Sequence, residues 1–335
     1  MNRDGKGQRG VVIAGVGSYL PERILTNADL TKIVDTSDEW IRTRTGISER
    51  RIARDDQAAS DLAAEASRHA LTMAGLAAED VEMIVVATVT PDMVFPNTAC
   101  FVQKHIGARK AFCFDLEAAC SGFLYSLETA RQFVASGTVK NALVIGAEKL
   151  SCVLDWQDRT TCVLFGDGAG AVVLKPTTTG HGILGTVMGS DGTLAELLTI
   201  PGGGSRTPVS AQSMADRMHY MKMAGKDVFK HAVRCMTDAA QQVLARCGLS
   251  ADDVTCVIPH QANMRIVQAV SDRLGIGTDR FCINLDRVGN MSAASVPVAL
   301  DEAVRANRFK AGDRLLFVTF GGGFTWGATL VEWGV

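Results

Sequence analysis

The fold is decided by a stretch that occurs twice, first as Gly75-Leu76-Ala77-Ala78-Glu79-Asp80-Val81 and later as Gly248-Leu249-Ser250-Ala251-Asp252-Asp253-Val254. Five of the seven positions are identical, at an offset of 173 residues. Each copy precedes a short apolar run that is typical of a buried strand, Met83–Ala87 in one case and Cys256–Pro259 in the other. A repeat of this length is too long for a solenoid unit, so it indicates a duplicated domain.

The repeat extends outward from this stretch in both directions. Each copy follows a segment with helical periodicity, at 58–74 and at 228–246. Two further pairs of strand-like segments match, 112–116 with 281–285 and 141–146 with 313–318. Because strands alternate with helices, each half is predicted to be an α/β unit around a largely buried sheet.

The boundary between the halves is predicted near 175–182, where Pro176, three threonines and Gly180 interrupt the pattern. This division gives a polar tail at 1–10, an N-terminal half at 11–178 and a C-terminal half at 179–335. The tail contains no apolar core, so it is not expected to be a signal peptide.

Composition excludes several classes of protein. The 335 residues carry 34 basic and 36 acidic side chains, and this balance gives no support for a nucleic-acid-binding protein. No apolar stretch reaches the roughly 18 residues that a membrane span requires. The nine cysteines lack C-x-x-C pairs, which favours reduced thiols in the cytoplasm and argues against a disulfide framework or a zinc site.

Cys120 is the candidate nucleophile, in the segment Asp115-Leu116-Glu117-Ala118-Ala119-Cys120-Ser121-Gly122-Phe123. The apolar run at 111–114 predicts a strand, and apolar residues from Phe123 to Ala130 recur with helical spacing. Cys120 is therefore expected at a strand-to-helix corner, where backbone N–H groups favour the reactive thiolate. A buried structural cysteine is the alternative interpretation. The small neighbours and two candidate partners downstream favour the nucleophile.

The two partners are His260 and Asn290. His260 follows the strand that mirrors 84–87, and Gly289-Asn290 lies at a corner nearly equivalent to that of Cys120. Since ligands bind at the carboxyl ends of strands in α/β folds, the three side chains are expected to converge near the seam between the halves. Asn290 could instead be a helix N-cap. The glycine-rich segment Phe320–Gly327 could be a tight turn or could bring backbone N–H groups close to a substrate.

Together these segments resemble the β-ketoacyl-acyl-carrier-protein synthase III family of thiolase-like condensing enzymes. The resemblance covers almost the whole chain, and its sharpest motifs are Ala118–Phe123, His260–Asn263, Gly289-Asn290 and Phe320–Gly327. It implies a thiolase-like α/β fold in which two duplicated halves form a five-layered αβαβα arrangement. Elongating relatives differ in carrying a second histidine in place of Asn290.

The resemblance also implies a reaction in two halves. Cys120 would accept an acyl group from a short acyl-CoA of the acetyl-CoA type, with the oxyanion held by the N–H groups of Cys120 and Gly322. Malonyl-acyl-carrier-protein would then lose CO2 and attack the acyl-cysteine, while His260 Nε2 and Asn290 Nδ2 donate hydrogen bonds to the developing enolate. Asparagine cannot act as a base at neutral pH, so its role must be donation. No metal and no other cofactor is implied.

Recognition of CoA is assigned by the same correspondence. Trp40 and Arg159 are expected to sandwich the adenine, since an indole facing a guanidinium suits a flat base. The rest of the path is assigned to Thr36, Arg44, Phe229, Ala262, Asn263 and Phe320. Trp40 could instead pack in the core, and Arg42, Arg50, Arg51 and Arg54 could form a merely solvated basic face. Val288 and Met291, which flank Asn290, depart from the residues common in the family.

Two kinds of protein partner are implied. A homodimer is expected in which Phe95 crosses to close the neighbour's acyl pocket, although Phe95 could instead anchor its own loop. Docking of the acidic carrier protein is assigned to Lys230 and Arg265. Lys222, Lys226 and Lys230 are spaced by four, so a helix there would present them as one stripe, or simply as a solvated face.

An initiating synthase is the favoured function. The alternative is a related acyltransferase or condensing enzyme of secondary metabolism that loads Cys120 but uses another acceptor. A non-catalytic scaffold is disfavoured because Cys120, His260 and Asn290 are all present.

Overall fold

A computed structural model describes residues 9–179 and 181–334. The predicted tail lies outside the described residues except for its last two positions, and Gly10 already begins a strand. Gly180, at the predicted boundary, also lies outside them. The helices of the described part are α1 (Asn27–Leu30), α2 (Asp38–Thr45), α3 (Ala59–Ala74), α4 (Thr98–Ile106), α5 (Gly122–Ser136), α6 (Ala211–Ala215), α7 (Gly225–Arg246), α8 (Met264–Leu274), α9 (Leu285–Val288) and α10 (Ser295–Arg305). The strands are β1 (Gly10–Tyr19), β2 (Arg23–Thr26), β3 (Glu49–Ile52), β4 (Met83–Ala87), β5 (Phe112–Leu116), β6 (Ala142–Glu148), β7 (Gly168–Thr177), β8 (Gly182–Ser190), β9 (Leu198–Thr199), β10 (Lys222–Met223), β11 (Cys256–Pro259), β12 (Arg314–Gly321) and β13 (Thr325–Glu332).

The two main sheets have the same strand order. The first runs β1-β7-β6-β4-β5, and the second runs β8-β13-β12-β11. In the first sheet β6, β4 and β5 are parallel neighbours, and in the second sheet β12 and β11 are. The other neighbouring strands of both sheets pair antiparallel. A single parallel bridge between Val257 and Phe281 takes the place that β5 occupies beside β4. The sequence repeat therefore corresponds to a repeat in topology, while the boundary at 178/179 stays a prediction.

Helices cover both sheets and fill the space between them. The apolar faces of α5 and α10 form one core with side chains of both sheets, including Phe123, Leu300 and Phe317. α3 and α4 pack on the outer face of the first sheet, and α7 and α8 pack on the outer face of the second. The order of layers is thus helix, sheet, helix, sheet, helix. The predicted five-layered thiolase-like fold is confirmed.

Two short 3₁₀ turns connect the middle layer to the sheets. Ala119–Ser121 leads into α5, and Ser292–Ala294 leads into α10. Each turn begins with a non-glycine residue in the left-handed region, Ala119 at φ 46° and Ser292 at φ 45°. This conformation is uncommon for residues with a side chain and is concentrated at functional sites.

Within the described ranges, no helix is both long enough and apolar enough to cross a membrane.

Candidate active site

Cys120 lies at the corner predicted for it, between the end of β5 and the start of α5. The turn that carries it is held by the glycine-rich loop, where Thr325 Oγ1 donates to the carbonyl oxygen of Ala118 over 2.8 Å. A Cβ atom on Gly321 would lie only 2.6 Å from the backbone nitrogen of Cys120. The close approach of the loop to the cysteine therefore requires glycine at this position.

The expected thiolate is not the resting form of Cys120. Only 8% of the residue is exposed, and this burial raises the pKa of the thiol to about 12. The helix-start environment was expected to favour the thiolate, but loss of solvent outweighs it because burial penalises the charged form.

Glu148 is a buried carboxyl group that the sequence interpretation missed. It ends β6 and accepts hydrogen bonds from Thr90 Oγ1 over 2.7 Å and from the N–H of Val89 over 3.1 Å. Burial raises the pKa of Glu148 to about 7, and its charge contributes to the raised pKa of Cys120. No sequence signal marked this residue, because a strand-end glutamate is ordinarily exposed.

His260 follows β11 directly, as predicted. Its backbone N–H donates to the carbonyl oxygen of Val318 in β12 over 2.7 Å, and only 3% of the residue is exposed. Burial lowers the pKa of the imidazole to about 4, so the ring is neutral at physiological pH. A neutral imidazole keeps one N–H donor, which suits the donating role implied for Nε2. Among the described residues, Nδ1 has no hydrogen-bond partner.

Asn290 is fixed on both its backbone and its side chain. Its N–H donates to Leu164 O over 2.9 Å, and its carbonyl oxygen accepts from the N–H of Gly166 over 3.0 Å. Its side-chain oxygen Oδ1 accepts from the N–H of Ser292 over 2.8 Å. Since Oδ1 is occupied in this way, the side chain presents its Nδ2 donors to the site.

The unusual neighbours of Asn290 do not face the substrate space. Val288 and Met291 are both buried and pack together with Ala294, Val298 and Leu20. Neither of them lines a cavity at Cys120. The two departures from the family pattern are thus changes in core packing beneath Asn290.

Two cavities meet at Cys120. One, of about 670 Å³, has His260 and Asn290 in its wall and extends outward to Trp40. The other, of about 640 Å³, extends in a different direction past Thr88 and Ser292 to the loop that contains Val94. Cys120 and Phe165 contribute to both. The thiol therefore lies where the cavity that contains His260 and Asn290 meets the second cavity.

The predicted CoA path coincides in large part with the first cavity. Its lining includes six of the assigned residues, Trp40, Arg44, Phe229, Ala262, Asn263 and Phe320. Thr36 and Arg159 are absent from the lining, and Gly322 lines the second cavity. The guanidinium carbons of Arg44 and Arg159 lie 4.8 Å and 5.2 Å from the centre of the Trp40 ring. Arg159 also donates to Asp35 O over 3.0 Å, and at 5.2 Å from the Trp40 ring its guanidinium leaves no room for a flat base between the two side chains.

The basic residues are distributed differently from the expectation of one solvated face. Arg50 is fully buried and donates to the carbonyl oxygens of Leu25 and Val163 over 3.2 Å and 2.6 Å. Burial lowers the pKa of Arg50 to about 10. Arg42, in contrast, is exposed and lies 3.7 Å from Asp38. A solvated face is therefore wrong for Arg50.

The predicted lysine stripe is incomplete. Lys226 and Lys230 are exposed in the first turns of α7, but Lys222 lies in β10, with Nζ 3.9 Å from a carboxylate oxygen of Asp155. Since Lys222 lies in a strand before α7, the helical stripe extends only over Lys226 and Lys230. Arg265 is exposed at the start of α8 and lines the first cavity.

Within 9–179 and 181–334, no group of three or more His, Cys, Asp or Glu side chains could hold a metal ion.

Comparison with known proteins identifies the family. The profile described as 3-oxoacyl-[acyl-carrier-protein] synthase III matches residues 114–192, and the profile of the C-terminal part of that synthase matches 244–333. The β-ketoacyl-[acyl-carrier-protein] synthase III of Desulfitobacterium hafniense is 56% identical over 323 residues, covering 96% of this chain and 98% of the relative. The chain belongs to the 3-oxoacyl-[acyl-carrier-protein] synthase III family.

Solved structures agree with this membership. The crystal structure of the family's synthase III from Aquifex aeolicus has a TM-score of 0.90 and 48% identity, covering 97% of this chain and 100% of the other. The priming β-ketosynthase of a polyketide biosynthetic pathway has a TM-score of 0.91 and 36% identity, covering 98% of this chain and 97% of the other.

Burial of neutral His260 predicts a loss of stability in acid. With a pKa of about 4 in the folded chain and 6.5 as its ordinary value, the unfolded state gains a proton first as the pH falls. Stability from this group is therefore lost between pH 6.5 and pH 4, and at pH 5 the loss is about 2 kcal/mol. His260→Gln should remove this component, so the variant should gain about 2 kcal/mol relative to the parent between pH 8 and pH 5.

Urea unfolding at fixed protein concentration measures this difference. The same substitution at the exposed His69 is the control. A gap between parent and His260→Gln that stays constant with pH would show that His260 is not buried as the neutral form.

Proposed function

We propose that this chain initiates fatty acid synthesis by decarboxylative condensation of a short acyl-CoA with malonyl-acyl-carrier-protein. The position of Cys120 carries the proposal, since this thiol lies at the junction of two cavities and one of them also presents His260 and Asn290. The names of the curated relatives support the same reaction.

In the first half-reaction, Cys120 Sγ attacks the thioester carbonyl of acyl-CoA. The new S–C bond replaces the bond to CoA, and the thiol proton leaves with the CoA sulfur. We assign the backbone N–H groups of Cys120 and Gly322 to the tetrahedral oxyanion, because the glycine loop packs directly on the cysteine turn. The CoA chain would occupy the first cavity, and the acyl group the second.

In the second half-reaction, malonyl-acyl-carrier-protein takes the place of CoA. Cleavage of its C–C bond releases CO2 and leaves an enolate, which attacks the acyl-cysteine. The products are a β-ketoacyl-carrier protein and the Cys120 thiolate, which takes up a proton from water to restore the thiol. His260 Nε2 and Asn290 Nδ2 donate to the enolate oxygen as charge develops there. Both steps balance with the CoA thioester as a substrate and no added cofactor.

The test separates the two half-reactions. Wild-type protein should gain an acetyl group on Cys120 from acetyl-CoA, detected by intact mass, and Cys120→Ala should gain none. Asn290→Ala should still become acylated. It should decarboxylate malonyl-acyl-carrier-protein about 100- to 1000-fold more slowly, because it lacks the Nδ2 hydrogen bond to the enolate oxygen that forms in the transition state.

Two results would contradict these roles. An acetyl adduct on Cys120→Ala would exclude Cys120 as nucleophile, and normal decarboxylation by Asn290→Ala would exclude Asn290 as donor. Loading of Cys120 without decarboxylation in the wild type would instead favour the alternative, an acyltransferase with another acceptor. The polyketide-priming relative is the observation that keeps this alternative open.

We further propose a homodimer formed around the edge strand β5. β5 is the last strand of its sheet, and the exposed fractions of Val94, Phe95 and Phe112 are 94%, 85% and 44%. Exposed apolar side chains beside a free strand edge are typical of an association surface. The same loop borders the acyl cavity through Met93 and Val94, so a second subunit here would close that cavity.

Phe95 is predicted to limit the acyl chain from across the dimer. Phe95→Ala should extend the range of accepted primers from acetyl-CoA to longer acyl-CoAs, because it removes a ring from the end of the partner's cavity. Ile33→Ala, at an apolar residue that is 48% exposed elsewhere, is the control. Sedimentation of the wild type as a monomer, or an unchanged primer preference in Phe95→Ala, would contradict the proposal.

We place the reaction in the cytoplasm, where the nine free thiols would remain reduced.

We assign carrier-protein docking to Lys230 and Arg265. Both basic residues are exposed, on α7 and α8. Arg265 lines the first cavity together with Lys226, and Lys230 lies one helical turn after Lys226. A local basic patch steers an acidic partner and weakens with salt.

Charge reversal at both residues should slow the carrier step selectively. Lys230→Glu with Arg265→Glu is expected to reduce condensation with malonyl-acyl-carrier-protein at least about tenfold at low salt, with acylation from acyl-CoA nearly unchanged. The matched control reverses Arg246 and Arg273, exposed residues in the last turns of the same two helices. Equal slowing of both half-reactions, or a carrier step independent of salt, would refute the docking role.

A further inference from the structure

Gln261 is a fully buried amide directly after His260. Its Nε2 donates to the carbonyl oxygen of Cys282 over 3.1 Å. Its Oε1 accepts from the N–H groups of Asn284 and Leu285, over 2.8 Å and 2.9 Å. All three bonds therefore join the His260 loop to a single short segment, 282–285.

That segment leads directly to Asn290. Leu285 begins α9, a helix of four residues that ends at Val288 and has Gly289 as its C-cap. The N-cap residue of α9, Asn284, forms no capping bond with its own side chain, so Gln261 Oε1 satisfies the first N–H groups of α9 from outside. The single turn of α9 and Gly289 then separate the Gln261 hydrogen bonds from Asn290. Because a helical turn has a fixed rise per residue, it transmits the position of residues 284 and 285 to Asn290.

The imidazole of His260 depends on its backbone for its position. Nδ1 has no hydrogen-bond partner among residues 9–179 and 181–334, although such a bond commonly sets the orientation of a functional histidine. Its N–H bond to Val318 fixes the residue to β12, whereas Asn290 is fixed to the Leu164 and Gly166 backbone in the other half. Gln261 bridges these two separately anchored segments.

We propose that Gln261 is a positioning residue that sets the spacing between the donors His260 Nε2 and Asn290 Nδ2. The inference rests on the proposed function, because it concerns the geometry of the malonyl step. The enolate oxygen needs both donors at hydrogen-bond distance at once, whereas acylation of Cys120 relies on backbone N–H groups of another turn. Loss of the bridge should therefore affect decarboxylation selectively.

Asn141 offers a matched control for a purely structural role. It is a buried amide at the start of the strand β6, where Nδ2 donates to Asp80 O over 2.9 Å and Oδ1 accepts from the N–H of Glu82 over 3.0 Å. It bridges backbone groups as Gln261 does, but at the amino end of its sheet, whereas Cys120, His260 and Glu148 lie at the carboxyl ends.

The experiment compares Gln261→Met, Gln261→Glu and Asn141→Leu in the full-length protein. Acylation of Cys120 by acetyl-CoA, decarboxylation of malonyl-acyl-carrier-protein and the thermal unfolding midpoint are each measured. Gln261→Met keeps the length of the side chain without its hydrogen bonds. Its kcat for decarboxylation should fall on the order of 100-fold, as for a small misplacement of catalytic groups, while KM and the acylation rate stay within about threefold.

Gln261→Glu tests partial retention of the bridge, and Asn141→Leu shows the effect of a purely structural defect. Gln261→Glu keeps an oxygen for Asn284 and Leu285 but places a second oxygen against the Cys282 carbonyl, so its decarboxylation rate should lie between those of wild type and Gln261→Met. Asn141→Leu should lower the unfolding midpoint and leave both half-reactions in their wild-type ratio.

A double-mutant cycle supplies a readout that loss of stability alone does not change. In the Asn290→Ala background there is no second donor to align, so adding Gln261→Met should slow decarboxylation by less than about threefold. Additive losses, equal slowing of both half-reactions, or failure of both Gln261 variants to fold would overturn the inference. A wild-type protein that does not decarboxylate the malonyl substrate would instead overturn the proposed function.

Discussion

The rest of the structure depends on how closely the two halves approach each other at their seam. A Cβ atom on Gly146 would lie 2.2 Å from the carbonyl oxygen of Ala293, and one on Gly321 would lie 2.6 Å from the nitrogen of Cys120. Real side chains do not fit at such distances, so both positions need glycine. Because each contact joins one half to the reactive turn of the other, the catalytic groups can meet only if these side chains are missing. Close packing of backbone against backbone at the seam is therefore a precondition for forming the site.

The duplicated halves contain two equivalent turns, at Ala119 and at Ser292, whose side chains differ in chemistry. The left-handed residues Ala119 and Ser292 are separated by the repeat offset of 173 residues, and so are Glu117 and Asn290. Glu117 accepts from the N–H of Ala119 over 2.9 Å, and Asn290 accepts from that of Ser292 over 2.8 Å. Asn290 thus matches Glu117, and the near-equivalence to Cys120 expected from the sequence is off by three positions. An amide retains two donors after this bond, whereas a carboxylate has none.

The sequence alone was sufficient to predict the repeated strands and the site residues beside motifs visible in the linear sequence. Periodicity and the duplicated stretch predicted the two sheets, and β4 and β11 have the bounds expected. Cys120 and His260 follow strands and Asn290 follows Gly289 after α9, positions that a linear pattern can show. Glu148 and Gln261 escaped notice because their partners are 58 to 60 and 21 to 24 positions away in sequence. Arg50 resembles the neighbouring surface arginines in sequence, but it is fully buried and donates to Leu25 and Val163, which are 25 and 113 positions away.

Burial has opposite consequences for the pKa values of Cys120 and His260, and it leaves both side chains uncharged. It raises the pKa of Cys120 and lowers that of His260, so the resting pair is thiol and neutral imidazole rather than an ion pair. An ion pair would already be stabilised before the reaction, and that stabilisation would be lost as the thiolate is consumed. Neutral donors in a poorly solvated space interact weakly with a thioester but strongly with an oxyanion or enolate, because the electrostatic energy grows with the charge that develops. In the proposed reaction the buried site would therefore bind the transition state better than the ground state, which is the condition for catalysis.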